Sequence, residues 1–114
     1  MIKHTTKKDI CIPQGDVYRI VVTVVDGPSS LAGYTGIMQI RKTKGSTEVL
    51  AEMNDDWFTI DDISRQVVLE IPDTATATYD WVGAAVYDMH LVGPDQWRLI
   101  EGKAMLNKTV TQEA

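Results

Sequence analysis

Between Val17 and Val25 the chain alternates strictly, and that alternation limits what it can fold into more than any other feature. Tyr18, Ile20, Val22 and Val24 form one set, and Val17, Arg19, Val21, Thr23 and Val25 form the other. A period of two places these sets on opposite faces of a strand, whereas a helix needs a period near 3.6. The first set is expected to face the core, because the polar Arg19 and Thr23 lie in the second. Val, Ile and Thr also lose χ1 freedom in a helical turn and pack well on a pleated surface.

The same period returns along the chain, punctuated by turn residues. Pro13-Gln14-Gly15-Asp16 predicts a turn, since Pro13 has no N–H for a ladder and Gly15 tolerates positive φ. That leaves residues 5–12 as a first strand. Asp26-Gly27-Pro28-Ser29-Ser30 is the next break. Residues 34–43 resume alternation with Met38 and Ile40 inward and Gln39 and Arg41 outward, and Lys44-Gly45-Ser46 turns the chain into a strand over 48–53. After Asn54-Asp55-Asp56, runs at 57–60 and 66–71 flank Asp61-Asp62-Ile63-Ser64-Arg65 in a hairpin-like pattern. Residues 72–78 suit one helical turn, capped by an Asp or Thr, or a loop. The final hairpin joins 84–92 to 97–106 through Gly93-Pro94-Asp95, with Tyr87, Met89 and Leu91 facing Ile100, Gly102, Ala104 and Leu106 in the core.

This pattern predicts an all-β fold: an antiparallel β-sandwich of about eight short strands with at most one short helical turn. At 114 residues the chain has the size of one domain, 1–114, able to bury a core unaided. Residues 1–4 and 108–114 are expected to fray. The strands at 5–12 and 48–53 are expected to be sheet edges, where a further chain can add.

The net charge of −5 opposes sequence-independent binding to nucleic acid, which needs cations to neutralise phosphates. Lys3, His4, Lys7 and Lys8 make a mildly basic start, read as a solvated terminus. Cys11, the single cysteine, excludes an intrachain disulfide, and between Ile10 and Ile12 it is expected to be a small buried hydrophobe. Nothing at the start resembles a signal peptide, and no run approaches the ~18 apolar residues of a membrane helix. Synthesis in a cytoplasm and no membrane partner are therefore expected.

Chemistry is hard to find. The histidines are His4 and His90, the latter alternating with Met89 and Leu91 and expected to be simply exposed. No G-x-S-x-G elbow exists. One cysteine and two distant histidines do not make a zinc site. Asp55-Asp56 and Asp61-Asp62 flank a short strand, but without an Asp-x-Asp-x-Asp-Gly loop they read as turn formers rather than calcium ligands. No catalytic residue, metal or cofactor is expected, and the chain is read as a non-enzyme. Of three tryptophans, Trp57 and Trp81 sit at strand or loop ends, positions that favour partial exposure. With Asp55, Asp56, Asp61 and Asp62 they form the candidate interaction face. Arg41 and Arg98 are candidates to pair with Glu48, Glu70 or Glu101, and Gly102 marks a bulge or a close approach.

Taken in order, several segments resemble a known family. Gln14-Gly15-Asp16 leads into the alternating strand, and Leu31-Ala32-Gly33-Tyr34 precedes Met38-Gln39-Ile40-Arg41. Phe58-Thr59-Ile60-Asp61 precedes Val67-Val68-Leu69-Glu70-Ile71. The chain closes on Val86-Tyr87-Asp88-Met89 and Arg98-Leu99-Ile100-Glu101-Gly102-Lys103. From Gln14 to Leu106 this resembles the small β-sandwich virion proteins of tailed bacteriophages, tail or tail-fibre-associated. The departure lies after Ile71, where a Thr/Ala run replaces an acidic, helix-favouring stretch. The resemblance implies an immunoglobulin-like sandwich and a non-enzymatic structural role in the virion, in contact with other virion proteins as a homo-oligomer or multicopy assembly. Alternatives on the same fold are a glycan-binding module and a capsid decoration protein.

Overall fold

Nine strands, one short helix and one 3-10 turn form within residues 6–25 and 27–109, the part of the chain that the computed structural model describes. The strands are β1 (Thr6–Lys7), β2 (Ile10–Pro13), β3 (Tyr18–Thr23), β4 (Thr35–Arg41), β5 (Val49–Met53), β6 (Phe58–Asp61), β7 (Gln66–Ile71), β8 (Ala85–Val92) and β9 (Gln96–Asn107). The helix is α1 (Asp73–Thr76), and the 3-10 turn is Asp55–Trp57. The larger sheet runs β1-β9-β8-β4-β5, with β2 also on β9, and the smaller runs β3-β7-β6. The fold is an all-β sandwich.

One core lies between the sheets. Met38, Ile40, Met53, Met89 and Leu91 come from the larger sheet and Val67, Leu69 and Ile71 from the smaller, all buried. The alternation sorted these side chains correctly. In β3, Ile20 is buried and Tyr18 and Val22 pack against the core, while Arg19, Val21 and Thr23 are exposed. The helical turn is also present, but no side chain caps it. The buried Thr76 instead bonds across to the β2–β3 turn. Its hydroxyl donates to the Asp16 carbonyl (2.7 Å) and accepts from the Gly15 N–H (3.1 Å).

Three expectations are corrected. The first strand is broken into β1 and β2, and both run parallel to β9. Alternation fixes which face a residue takes but not the direction of its neighbour. The break has a local cause, because Lys8 and Asp9 cross β9 at Gly102. The Lys8 N–H donates to the Glu101 carbonyl (2.8 Å), the Asp9 carboxylate accepts from the Lys103 N–H (3.0 Å), and the Tyr87 hydroxyl donates to the Lys8 carbonyl. Burial raises the Tyr87 phenol well above its usual value, with the neighbouring Tyr18, Asp9 and Glu101 adding to it.

Cys11 is exposed, because Ile10 and Ile12 take the core face and the residue between them must point away. In β9 the register shifts opposite Met89 and His90, so that Leu99 and Ile100 are both buried. At the C-terminal end, Lys108 and Thr109 each contact the body of the domain. The Lys108 ammonium pairs with Asp80 (2.7 Å), and the Thr109 N–H donates to the Gln14 side chain (3.2 Å). Residues 1–4, with Lys3 and His4, residues 110–114 and Asp26 of the expected turn lie outside the described residues.

Tyr79 packs its ring on Trp81, centroids 5.8 Å apart and tilted 35°, and among the described residues its buried hydroxyl has no hydrogen-bond partner. Burial raises its pKa. A buried hydroxyl without a partner keeps its desolvation cost. Tyr79→Phe is therefore expected to stabilise the fold by about 1 kcal/mol, read as a higher urea midpoint at unchanged slope. A lower midpoint would show that the hydroxyl is bonded.

Candidate binding surfaces

The 3-10 turn at Asp55–Trp57 projects from the end of β5 and is pinned to the larger sheet, where the Asp55 carboxylate accepts the Gly36 N–H (3.2 Å). The next residue, Phe58, is buried and anchors the turn in the core. This leaves Trp57 half-buried on the outer side of the smaller sheet. There it joins Val17, Pro72 and three carboxylates, Asp56, Glu70 and Asp73, around a groove of about 480 Å³. Arg19 stands opposite Glu70 in the β3–β7 register and is exposed beside the groove. An aromatic wall with acceptors at the rim suits an extended polar chain carrying hydroxyls or cations.

The predicted interaction face is thus brought together only in part. Trp57 and Asp56 share the groove. Trp81 does not: it is 7% exposed, lies in the core, and donates its indole N–H to the Ala104 carbonyl (3.1 Å). A tryptophan just outside a strand is not thereby at the surface, and this one covers the end of the core beside Tyr79. The remaining aspartates hold loops. Asp61 accepts the Ile63 N–H (3.0 Å), and Asp62 accepts the Leu31 N–H (2.7 Å) and the Ser30 hydroxyl (3.1 Å). Hydrogen bonds from Ser64, side chain then backbone, lower the Asp61 pKa, helped by the Ile63 N–H. Among the described residues no three His, Cys, Asp or Glu side chains are grouped to hold a metal ion.

A second recess, of about 370 Å³, lies on the outer face of the larger sheet between Gln39, Arg41, Lys44, His90, Arg98 and Glu101. His90 points outward but is enclosed, its side chain only 15% exposed. Its Nε2 lies 3.1 Å from Asp88, and its Nδ1 lies 2.9 Å from the Gln96 amide. An Nε2–H tautomer satisfies both contacts, with Gln96 donating to Nδ1. Arg98 reaches Asp88 and Glu101, both at 3.7 Å, and Lys44 reaches Glu101 at 3.3 Å. Burial works to raise the Glu101 carboxyl, but its bond to Lys44 and the charges of Lys44, Arg98 and Lys7 outweigh it and lower the pKa. Arg41, by contrast, bonds the Ser46 carbonyl and Gln39.

The Arg98–Glu101 pair is among those the sequence offers, but their place on one strand face with Asp88 and His90 is not legible, because residues three apart in a regular strand face opposite ways. The irregularity at Leu99 puts Arg98 and Glu101 on one face. At the β8–β9 hairpin, Asp95 accepts from both the Tyr34 hydroxyl and the Trp97 indole (2.8 Å). In comparisons with known proteins, no family model matches the sequence and no curated protein matches it.

Proposed function

We propose that this chain is a non-enzymatic assembly module, a structural protein of a tailed-phage virion at the tail or its fibre, acting through contacts with other virion proteins and with copies of itself. The observation that carries the assembly reading is a two-sheet sandwich with open strand edges in both sheets and apolar side chains exposed beside one of them. Val17 and Val21 on the smaller sheet are 54% and 43% exposed. Open edges and exposed valines are the means by which sandwiches add further chains. The placement in a phage tail rests on the ordered segments from Gln14 to Leu106. A place on the capsid as a decoration protein uses the same surfaces and differs only in the partner.

Deleting the coding sequence from the phage that carries it tests this reading. Phage DNA replication is expected to continue while the yield of infectious particles collapses. An undiminished yield of complete, infectious particles would contradict it.

The groove around Trp57 favours a second reading, glycan recognition. A sugar ring stacks on an aromatic face, and its hydroxyls donate to carboxylates such as Asp56, Glu70 and Asp73. On a glycan array this reading requires a signal from the parent chain that Trp57→Ala abolishes. Background binding by the parent removes it.

A further inference from the structure

We infer that β3 is the edge through which two copies of this chain pair, antiparallel about a two-fold axis at Val21. The inference deepens the assembly reading and rests on it for its biological role. Its physical basis is a comparison of the four strand edges that have no neighbour among the described residues: β1 with β2, and β5, in the larger sheet, and β3 and β6 in the smaller.

Soluble sandwiches blunt their edges with lysine, proline, bulges, shortness or charge. Three of these edges are blunted. The β1–β2 edge carries Lys7 and Lys8 at a break in the strand and ends on Pro13. β5 is irregular, its register with β4 shifting between Ile40 and Arg41. β6 has four residues, ends on Asp61 and is flanked by Asp55, Asp56 and Asp62. β3 carries the charge of Arg19 and none of the other devices. Its six residues pair with β7 from Tyr18↔Ile71 to Thr23↔Gln66 without a shift, and they include no proline, lysine or acid.

The hydrogen-bond phase shows which groups this edge offers. Val24 continues the β3–β7 register, and its N–H donates to the Arg65 carbonyl at 2.8 Å. Residues directly opposite in an antiparallel pair alternate between bonded and non-bonded. Tyr18, Ile20, Val22 and Val24 therefore bond inward to β7, and the N–H and C=O groups of Arg19, Val21 and Thr23 point to the open side. The side chains of those same three residues lie on the exposed outer face.

A second copy placed antiparallel with Val21 on the axis satisfies these groups and matches the side chains. Val21 meets Val21, and Arg19 meets Thr23. Beyond the strand ends, Val17 meets Val25, which is 89% exposed. Val68 stands beside Val21 on β7, so an apolar row of Val68, Val21, Val21 and Val68 crosses the axis. Centring the axis on Arg19 instead would set two guanidinium groups opposite each other, a destabilising like-charge pair. Centred on Val21, the surface is self-complementary, as a two-fold interface requires.

Sedimentation velocity of the full chain over a concentration series tests this. The parent is expected to sediment as a dimer and Val21→Lys as a monomer, with the dissociation constant raised at least about tenfold by the lost valine contact and the two opposed charges. Its circular dichroism should match the parent, as should its urea midpoint at concentrations low enough for both to be monomers, because position 21 faces solvent within each copy. Independently of that variant's folding, Val21→Cys in a Cys11→Ser chain is expected to give a covalent dimer under oxidised glutathione. Arg19→Cys in the same background, which faces Thr23, should stay monomeric in denaturing gels. A parent that remains monomeric throughout, or a dimer that Val21→Lys leaves intact, overturns the pairing. A monomeric parent found in virions would overturn the pairing and leave the assembly reading standing. A β3 dimer absent from virions would do the reverse.

Discussion

Gly102→Val is expected to detach the N-terminal strands and destabilise the chain by about 3 kcal/mol, at the upper end of overpacking costs. A Cβ at Gly102 would press on the carbonyl oxygen of Lys8, come within 2.7 Å of its carbonyl carbon, and stand 3.0 Å from the Asp9 carboxylate. Two of these three atoms are backbone, so the contact is not relieved by rotating a side chain. The segment that must move carries the Lys8–Glu101 and Asp9–Lys103 hydrogen bonds and the Tyr87 anchor. It also lies between Lys7 and Ile10, the ends of the two parallel pairings on β9. Hydrogen exchange should show residues 6–13 losing protection while β3 and β7 keep theirs, together with a lower urea midpoint. An unchanged midpoint with protected β2 amides would mean that the crossing over Gly102 is not as close as described.

Trp81→Ala should cost more, about 3–5 kcal/mol, the range for truncating a large buried aromatic. The substitution empties the end of the core, strips Tyr79 of its ring partner and leaves the Ala104 carbonyl without its indole donor. Total stabilities of about 5–15 kcal/mol make such a loss severe. Trp57→Ala, on a half-buried ring at the groove, is expected to cost about 1 kcal/mol or less in stability. Thermal denaturation of the two variants side by side separates a core tryptophan from a surface one. Equal losses would contradict the assignment of Trp57 to a binding surface.

That contrast shows what the sequence could and could not convey. Strand positions were legible because alternation and turn chemistry are local: the run at 66–71 coincides with β7, and Met38, Ile40, Tyr87, Met89 and Leu91 face inward as their spacing required. The edges at the two ends of the larger sheet were legible too. What escaped is non-local. Trp57 and Trp81 have similar neighbours in sequence, and only the packing of β9 against the loop before β8 makes one of them core. Nothing in a single strand's pattern states whether its neighbour runs parallel, as β2 does beside β9. The Asp88–His90–Arg98–Glu101 network depends on a register shift at Leu99; the sequence offers its Arg98–Glu101 pair, and the shift itself shows there only as two large apolar residues, Leu99 and Ile100, where alternation asks for one. Cys11 was misplaced for a simpler reason: an apolar run was read as wholly buried, when in a one-sided strand the middle residue of three must face out.

If, as proposed, a tailed phage encodes this chain, the assembly reading is tested most directly by quantitative mass spectrometry of that phage's purified, salt-washed particles. The expected result is peptides from this protein in several copies per particle, in fixed ratio to the tail proteins and retained after washing. Particles that carry a complete tail and no trace of the chain would contradict it.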